Sequence, residues 1–295
     1  MNGGFTCVSC GGTTARDWRA EGGWQIVRCE GCGLLATWPR PAAATLSAIY
    51  ESPEYYDERA MRKPAHEAWI SRAREVFNAL PAATGPLLDY GAGSGGLVHG
   101  AREIGVEADG VEPSATAREL ARTLYGVDLM PGLEACTHRR YGAITLLHVL
   151  EHVADPLGDL RALGSLLEPD GAVLIEVPHA GSADMWLPSR RRMILDPPAH
   201  LHHFTPKTLR TLLENAGYDV LDVRLFNADP VERVLAWRAA RRGRRAPATS
   251  AGSDAVTEPS ATPARTARTL WSGALGAVRS VLPGDRFQAI AGLAR

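Results

Sequence analysis

What the chain lacks narrows its class first. No apolar run in its 295 residues reaches the roughly 18 that a membrane-spanning helix needs. The opening stretch, Met1 to Cys10, holds no basic segment followed by an apolar one, so a secretory leader is not expected and a cytoplasmic location is. Surplus charge is missing as well. The 32 Lys and Arg against 33 Asp and Glu leave a net charge of −1, which argues against a generic nucleic-acid binder. Cysteine is scarce: five residues are too few for a disulfide scaffold of this length. No repeat of fixed period is visible. What remains, 45% hydrophobic and 22% charged, is the composition of a globular chain long enough to bury its own core.

The cysteines are unevenly placed. Cys7-x2-Cys10 is followed, after 18 intervening residues, by Cys29-x2-Cys32, while Cys136 stands alone. Gly11, Gly12, Gly31 and Gly33 flank the two pairs, so each pair sits on a tight turn that aims two thiolates at one point. Two such turns complete the tetrahedral four-sulfur shell that zinc prefers. Residues 1–40 are therefore expected to form a zinc ribbon. Its closed, structural metal site replaces a core that so short a segment cannot build.

Residues 41–84 read as a connector with apolar anchors. It ends in a helix, where Trp69, Ile70, Ala73, Val76, Phe77 and Leu80 recur at helical spacing. From residue 85 to 228 short apolar strands alternate with helices. The strands are Pro86–Tyr90, Val106–Glu112, Val127–Met130, Gly142–His148, Gly171–Val177 and Tyr218–Phe226. Ser114, Asp155-Pro156 and Thr205-Pro206 are helix-start signals, and Gly217 is a stop signal. This alternation predicts an α/β fold with a doubly wound, mostly parallel sheet. Residues 229–285 read as an insertion. Its 241–268 stretch, rich in Ala, Pro and Arg, is expected to be disordered, with a helix over Leu270–Leu282. Residues 286–295 read as a final strand.

The stretch LLDYGAGSGG, residues 87–96, puts a strand before a glycine turn and a helix after it. Such a turn lets backbone approach a ligand closely at a helix N-terminus. Glu112 ends the next strand, 21 positions after Gly91, where a carboxylate can accept from both ribose hydroxyls of a nucleoside. Together the two features predict an adenosine-containing cofactor and leave its type open.

Resemblance narrows the type. Asp89-Tyr-Gly-Ala-Gly-Ser-Gly95 resembles motif I of class I S-adenosylmethionine (SAM) methyltransferases, and Gly110-Val-Glu-Pro-Ser114 their second-strand acidic end. The segments 144–156 and 168–178 resemble their fourth and fifth strands. The 200–209 segment with Ala216-Gly217-Tyr218 is similar to the small-molecule branch, of the methyltransferase-23 type. The cysteine-bearing N-terminus resembles the zinc-ribbon extension of some members, including certain sugar methyltransferases. The resemblance implies a seven-stranded, Rossmann-like sheet with a reversed last strand. It also implies a SAM site in which Gly91, Gly93 and Gly95 wrap the methionine part and Glu112 holds the ribose, with Asp89, Leu147 and His148 alongside. Where the family often has an acidic residue near the adenine, this chain offers only Glu134.

Methyl transfer needs an aligned acceptor and often a base, for which histidine is suited. Ligands of such sheets bind at the carboxyl ends of the strands. His148 and His179 follow strands there and are expected to face the pocket. His200, His202 and His203 precede a helix, on a loop able to close over it, with at least one of His202 and His203 facing solvent. The catalytic candidates are His148, His179 and His200; the lid candidates are Tyr55, Tyr56 and His203. His148, Glu151 and His152 also lie where some catechol-type O-methyltransferases carry a metal-binding trio, but the family has a glutamate in place of His148. The expected activity is SAM-dependent O-methylation of a small-molecule acceptor: a sugar, a glycan precursor or a secondary metabolite. The alternatives are a zinc-ribbon ribosomal-RNA methyltransferase, disfavoured by the lack of a basic excess, and a non-catalytic partner-binding relative. A nicotinamide dehydrogenase is a further, weaker option.

Overall fold

The computed structural model describes residues 4–52, 66–80, 85–136, 139–186, 188–226 and 286–294. Tyr55, Tyr56, the 229–285 insertion with its 241–268 stretch and the Leu270–Leu282 helix lie outside the described residues.

Three antiparallel strands open the chain: β1 (Ala15–Glu21), β2 (Trp24–Cys29) and β3 (Leu35–Trp38), with β2 in the middle. A short helix, α1 (Ala43–Tyr50), forms in the connector, and α2 (His66–Ala79) matches the periodic segment. The main sheet then begins. It contains β4 (Leu87–Tyr90), β5 (Ala108–Val111), β6 (Tyr141–Leu147), β7 (Leu167–Pro178), β9 (Tyr218–Phe226) and β10 (Arg286–Leu293). Their order is β5-β4-β6-β7-β10-β9. The first four run parallel, and β10 is antiparallel to both β7 and β9. The reversed last strand is therefore where the resemblance puts it.

Six strands pair continuously among the described residues, not seven. The expected Val127–Met130 strand is reduced to a single parallel bridge between Met130 and Val111. Met130 makes both ladder bonds, its amide to Gly110 O at 2.9 Å and its carbonyl to Glu112 N at 2.8 Å. Pro131 follows at once, has no N–H to give and ends the pairing.

Strand alternation distributes side chains to two faces. On β7, Val173, Ile175 and Val177 enter one core while Ala172 and Leu174 enter the other; on β10, Phe287, Ala289 and Ala291 oppose Ile290. Because both faces are covered, these strands read in sequence as unbroken apolar runs. The first face is covered by α5 (Pro156–Leu166) and α7 (Pro206–Ala216) through Leu160, Leu163, Leu209, Leu212 and Leu213. The second is covered by α2, α3 (Gly96–Glu103) and α4 (Ala115–Tyr125) through Ala73, Val76, Leu97, Val98 and Ala121. Each fully buried leucine contributes roughly 1.5–3 kcal/mol. The α2 and α3 axes approach closely because Gly96 has no side chain; a Cβ there would collide with the Trp69 indole.

The ribbon is fused to this body. β8 (His202–His203), just ahead of α7, pairs with β3 and makes a fourth strand of the ribbon sheet. Phe5, Val27, Leu34 and Ala36 join the first core, and Glu21 of β1 accepts from Arg191 of α6 (Pro188–Leu195) at 2.7 Å. His202 and His203 are consequently both buried, contrary to the expectation that one faces solvent. His203 lies with its Nε2 3.3 Å from Thr37 Oγ1, inside the ribbon sheet and not on a closing loop. No signal in a two-residue strand announces such pairing.

Candidate active site

The glycine turn joins β4 to α3 at the carboxyl edge of the sheet. The Gly91 and Ala92 amides both donate to Val111 O, at 2.8 and 2.9 Å, which ties the turn to the end of β5. Gly91 sits at φ +75°, and a Cβ there would lie 2.5 Å from Val149, so both backbone and space demand glycine. Gly95 stands at the N-cap of α3. Glu112, just beyond β5, is held on both carboxylate oxygens by backbone: Gly93 N donates to Oε2 at 2.8 Å and Ser114 N to Oε1 at 2.9 Å. Burial pushes the Glu112 carboxyl up while these two amides pull it down. Asp89 is buried on β4 and accepts from Thr145 Oγ1 at 2.7 Å. Burial drives it up to about 7, against the pull of Thr145, and the nearby Glu112 charge adds to the rise. A glycine turn and two carboxyls at neighbouring strands are thus assembled from residues 89–114. Glu134 lies beyond it, exposed on the 3₁₀ turn Leu133–Cys136.

A second group lies one strand over. His148 follows β6 with φ +56°, a left-handed conformation that a β-carbon disfavours. Strain of this kind at a strand end is found where surroundings hold a side chain in place, and here they do. His148 Nε2 is 3.2 Å from Glu176 Oε1, and its Nδ1 is 3.4 Å from Glu151 Oε1. Glu176, near the end of β7, also accepts from Arg72 of α2 and from Gln288 of β10, each at 2.6 Å. Burial works against charge on His148, but the two carboxylates prevail and raise it to about 9. Glu176 is pushed up by burial yet held down to about 2 by His148 and Arg72. The expected free imidazole base at position 148 is therefore a cation at neutral pH in this arrangement. It is also the accessible one, its side chain 44% exposed, with Leu147 half-buried before it.

The other histidines are placed elsewhere. His179 is buried, its ring edge-on to Phe287 at 5.4 Å. His200 is buried under the ribbon, with Nδ1 2.8 Å from Ile194 O. The trio His148, Glu151 and His152 is not what converges: Glu151 and His152 gather with His200, and His148 turns toward Glu176. Sequence reasoning missed Glu176, Arg72 and Gln288. Only a charged residue inside the apolar run of β7 marked any of them.

The four ribbon cysteines do converge. Cys7 Sγ is 3.5 Å from Cys32 Sγ and Cys10 Sγ 3.6 Å from Cys29 Sγ, all four within 4.8 Å of one another. The two turns repeat one pattern: Gly11 N donates to Cys7 O and Cys7 N to Gly12 O, as Gly33 N does to Cys29 O and Cys29 N to Leu34 O.

With this geometry in view, a family model described as a methyltransferase domain matches residues 56–223, more than half of the chain. The chain belongs to that methyltransferase family. The methyltransferase is 27% identical over 184 residues to a ubiquinone biosynthesis O-methyltransferase of Xanthomonas axonopodis pv. citri, a span covering 57% of this chain and 77% of that one. It is 30% identical over 131 residues to one of the same name from Alkalilimnicola ehrlichii, covering 41% and 53%. Its fold matches the crystal structure of a SAM-dependent methyltransferase from Archaeoglobus fulgidus, with a TM-score of 0.52 at 17% identity over 81% of this chain and 99% of that one. The methyltransferase takes its methyl group from SAM, and the dinucleotide alternative for the glycine turn falls. No helix among the described residues is long and apolar enough to cross a membrane.

Proposed function

We propose that this enzyme transfers the SAM methyl group to a hydroxyl of a small-molecule acceptor, of the sugar, glycan-precursor or secondary-metabolite class. The names of its relatives support an oxygen acceptor. The observation that carries the reading is the half-exposed His148, set between Glu151 and Glu176 at the carboxyl end of β6. In this reading Gly91, Gly93 and Gly95 follow the methionine part of SAM, and Glu112 holds the ribose. Asp89 faces the positive charge of the donor. SAM supplies an already activated methyl, so the chain's task is alignment and proton removal. The acceptor oxygen forms its bond to the methyl carbon as the carbon–sulfur bond breaks, and His148 with its two carboxylates positions that oxygen. The hydroxyl proton goes to His148 in its neutral form, the minor one at neutral pH because Glu151 and Glu176 favour the cation, and Arg72 and Gln288 keep Glu176 in register.

The ribbon cysteines fit a zinc ion. Bonds of about 2.3 Å to four thiolates put the sulfurs roughly 3.8 Å apart, close to the spacing here. We assign zinc a structural role, since the four cysteines close the shell.

Incubation with methyl-labelled SAM and a panel of hydroxylated sugars and phenols tests the function. Label recovered as an O-methyl ether is the expected outcome. Label found only on carbon or nitrogen, or only on ribosomal RNA, would overturn it.

A further inference from the structure

A second cluster of metal-ligand type lies where the ribbon meets the main sheet. Glu151 and His152 come from the loop after β6, and His200 from the loop before β8. One donor atom from each lies within 4.8 Å of the other two. Glu151 is 1% exposed, and neither of its carboxylate oxygens has a hydrogen-bond partner; the approach of His148 Nδ1 at 3.4 Å is too long to be one. A buried carboxylate left in this state costs several kcal/mol. The His148 cation at 3.4 Å offsets part of that cost without hydrogen-bonding either oxygen, so the oxygens point to a further positive ligand.

The histidines are prepared for the same ligand. His200 Nδ1 lies 2.8 Å from Ile194 O, and His152 Nδ1 lies 3.0 Å from Ala199 O. A carbonyl only accepts, so Nδ1 carries the proton in both rings, and the basic lone pair sits on Nε2. Backbone carbonyls holding Nδ1–H are how metal-binding imidazoles are oriented elsewhere. Tyr50 of α1 adds to this shell. Its hydroxyl donates to Ala199 O at 2.9 Å and lies 3.0 Å from His152 Nδ1.

We propose that Glu151, His152 and His200 bind one divalent transition-metal ion of zinc-like preference. Two imidazoles and one carboxylate are a borderline donor set; magnesium and calcium take all-oxygen shells. The ion ties the strand-end loop to the segment that carries the ribbon. Around it Leu201 N donates to Glu151 O at 2.7 Å, and Thr37 Oγ1 donates to His200 O at 2.7 Å. Its occupancy is independent of which acceptor is methylated and of the thiolate site.

The test uses the full chain, dialysed, loaded with zinc and freed of excess metal. Elemental analysis should give about two ions per chain. Zinc X-ray absorption should show a sulfur shell near 2.3 Å together with a nitrogen/oxygen shell near 2.0–2.1 Å. His200→Ala should lose one ion and the shorter shell while keeping the sulfur shell. A single ion with a pure sulfur shell in the unsubstituted chain overturns the proposal, as does His200→Ala retaining the second ion. A nitrogen/oxygen shell alone would uphold it and instead remove the thiolate site. The absorption spectrum of the unsubstituted chain decides the matter even where His200→Ala does not fold.

Discussion

Residues 89–114 make the half of the site assigned to SAM in one continuous stretch, whereas the half we propose for the acceptor is gathered from α2, the end of β6 with its following loop, and β7 and β10. The two also differ in what holds them. Glu112 is gripped by backbone amides of Gly93 and Ser114. His148 is gripped by Glu151 and Glu176, and Glu176 by Arg72 and Gln288, all through side chains. A backbone grip persists whatever side chains surround it. A side-chain grip is lost with one substitution, so a family can keep the first half and vary the second. The sharpest way to break the comparison is to remove the single side chain on which the first half depends. Glu112→Ala deletes two charge-assisted hydrogen bonds within the loop and the carboxylate offered to the ribose. At roughly 2–4 kcal/mol in all, calorimetry should find SAM affinity reduced by about 100-fold. Affinity within threefold of the unsubstituted enzyme would show that the carboxylate only shapes the turn.

Substitution in the other half should separate binding from turnover. Glu176→Gln removes the anion shared by Arg72 and His148, at a stability cost of about 1–3 kcal/mol. The expected kinetics are a kcat lowered by roughly 10–100-fold, with SAM affinity nearly unchanged. A parallel loss of SAM binding would show that the two halves are one unit.

Asp89 gives the comparison a pH dependence. Its folded value, about 7, lies above the ordinary carboxylate value. Between the two, the native state binds the proton that the unfolded chain releases. Stability without SAM therefore falls as pH rises from about 4 to 7, and the penalty stays level above that. Asp89→Asn should remove a penalty of about 4 kcal/mol at pH 8 and very little at pH 4. Thermal melts at the two pH values check this. The same substitution should weaken SAM binding at pH 8, where the carboxylate is charged.

How much was legible follows the same division. The α/β alternation, the helix starts at Ser114, Asp155 and Thr205, and the reversed strand at Arg286–Leu293 depend on neighbours in sequence, and the structure has them. The four cysteines announce their convergence by spacing. Glu176 was invisible, because a charge in an apolar strand has no meaning until Arg72, 104 positions away, is known to reach it. The same holds for His203, buried by a two-residue pairing with β3, and for His148, whose partners on the loop after β6 and on β7 reverse the protonation a free imidazole would have.

The smallest effect tests whether the grip on Glu112 is indeed backbone. Ser114 acts twice: its amide holds Glu112 Oε1, and its hydroxyl caps α4 by accepting from Ala117 N at 3.2 Å. Ser114→Ala keeps the first interaction and loses the second, together with a 3.2 Å bond to Glu51. Loss of such a cap costs about 1 kcal/mol, to be read from denaturant unfolding. If the amide is what matters to the cofactor, SAM affinity should stay within about twofold, since no hydrogen bond to Glu112 is removed. A loss of tenfold or more, about 1.4 kcal/mol, would place the hydroxyl itself in the cofactor site. The contrast between a backbone-held half and a side-chain-held half would then fail at the residue chosen to show it.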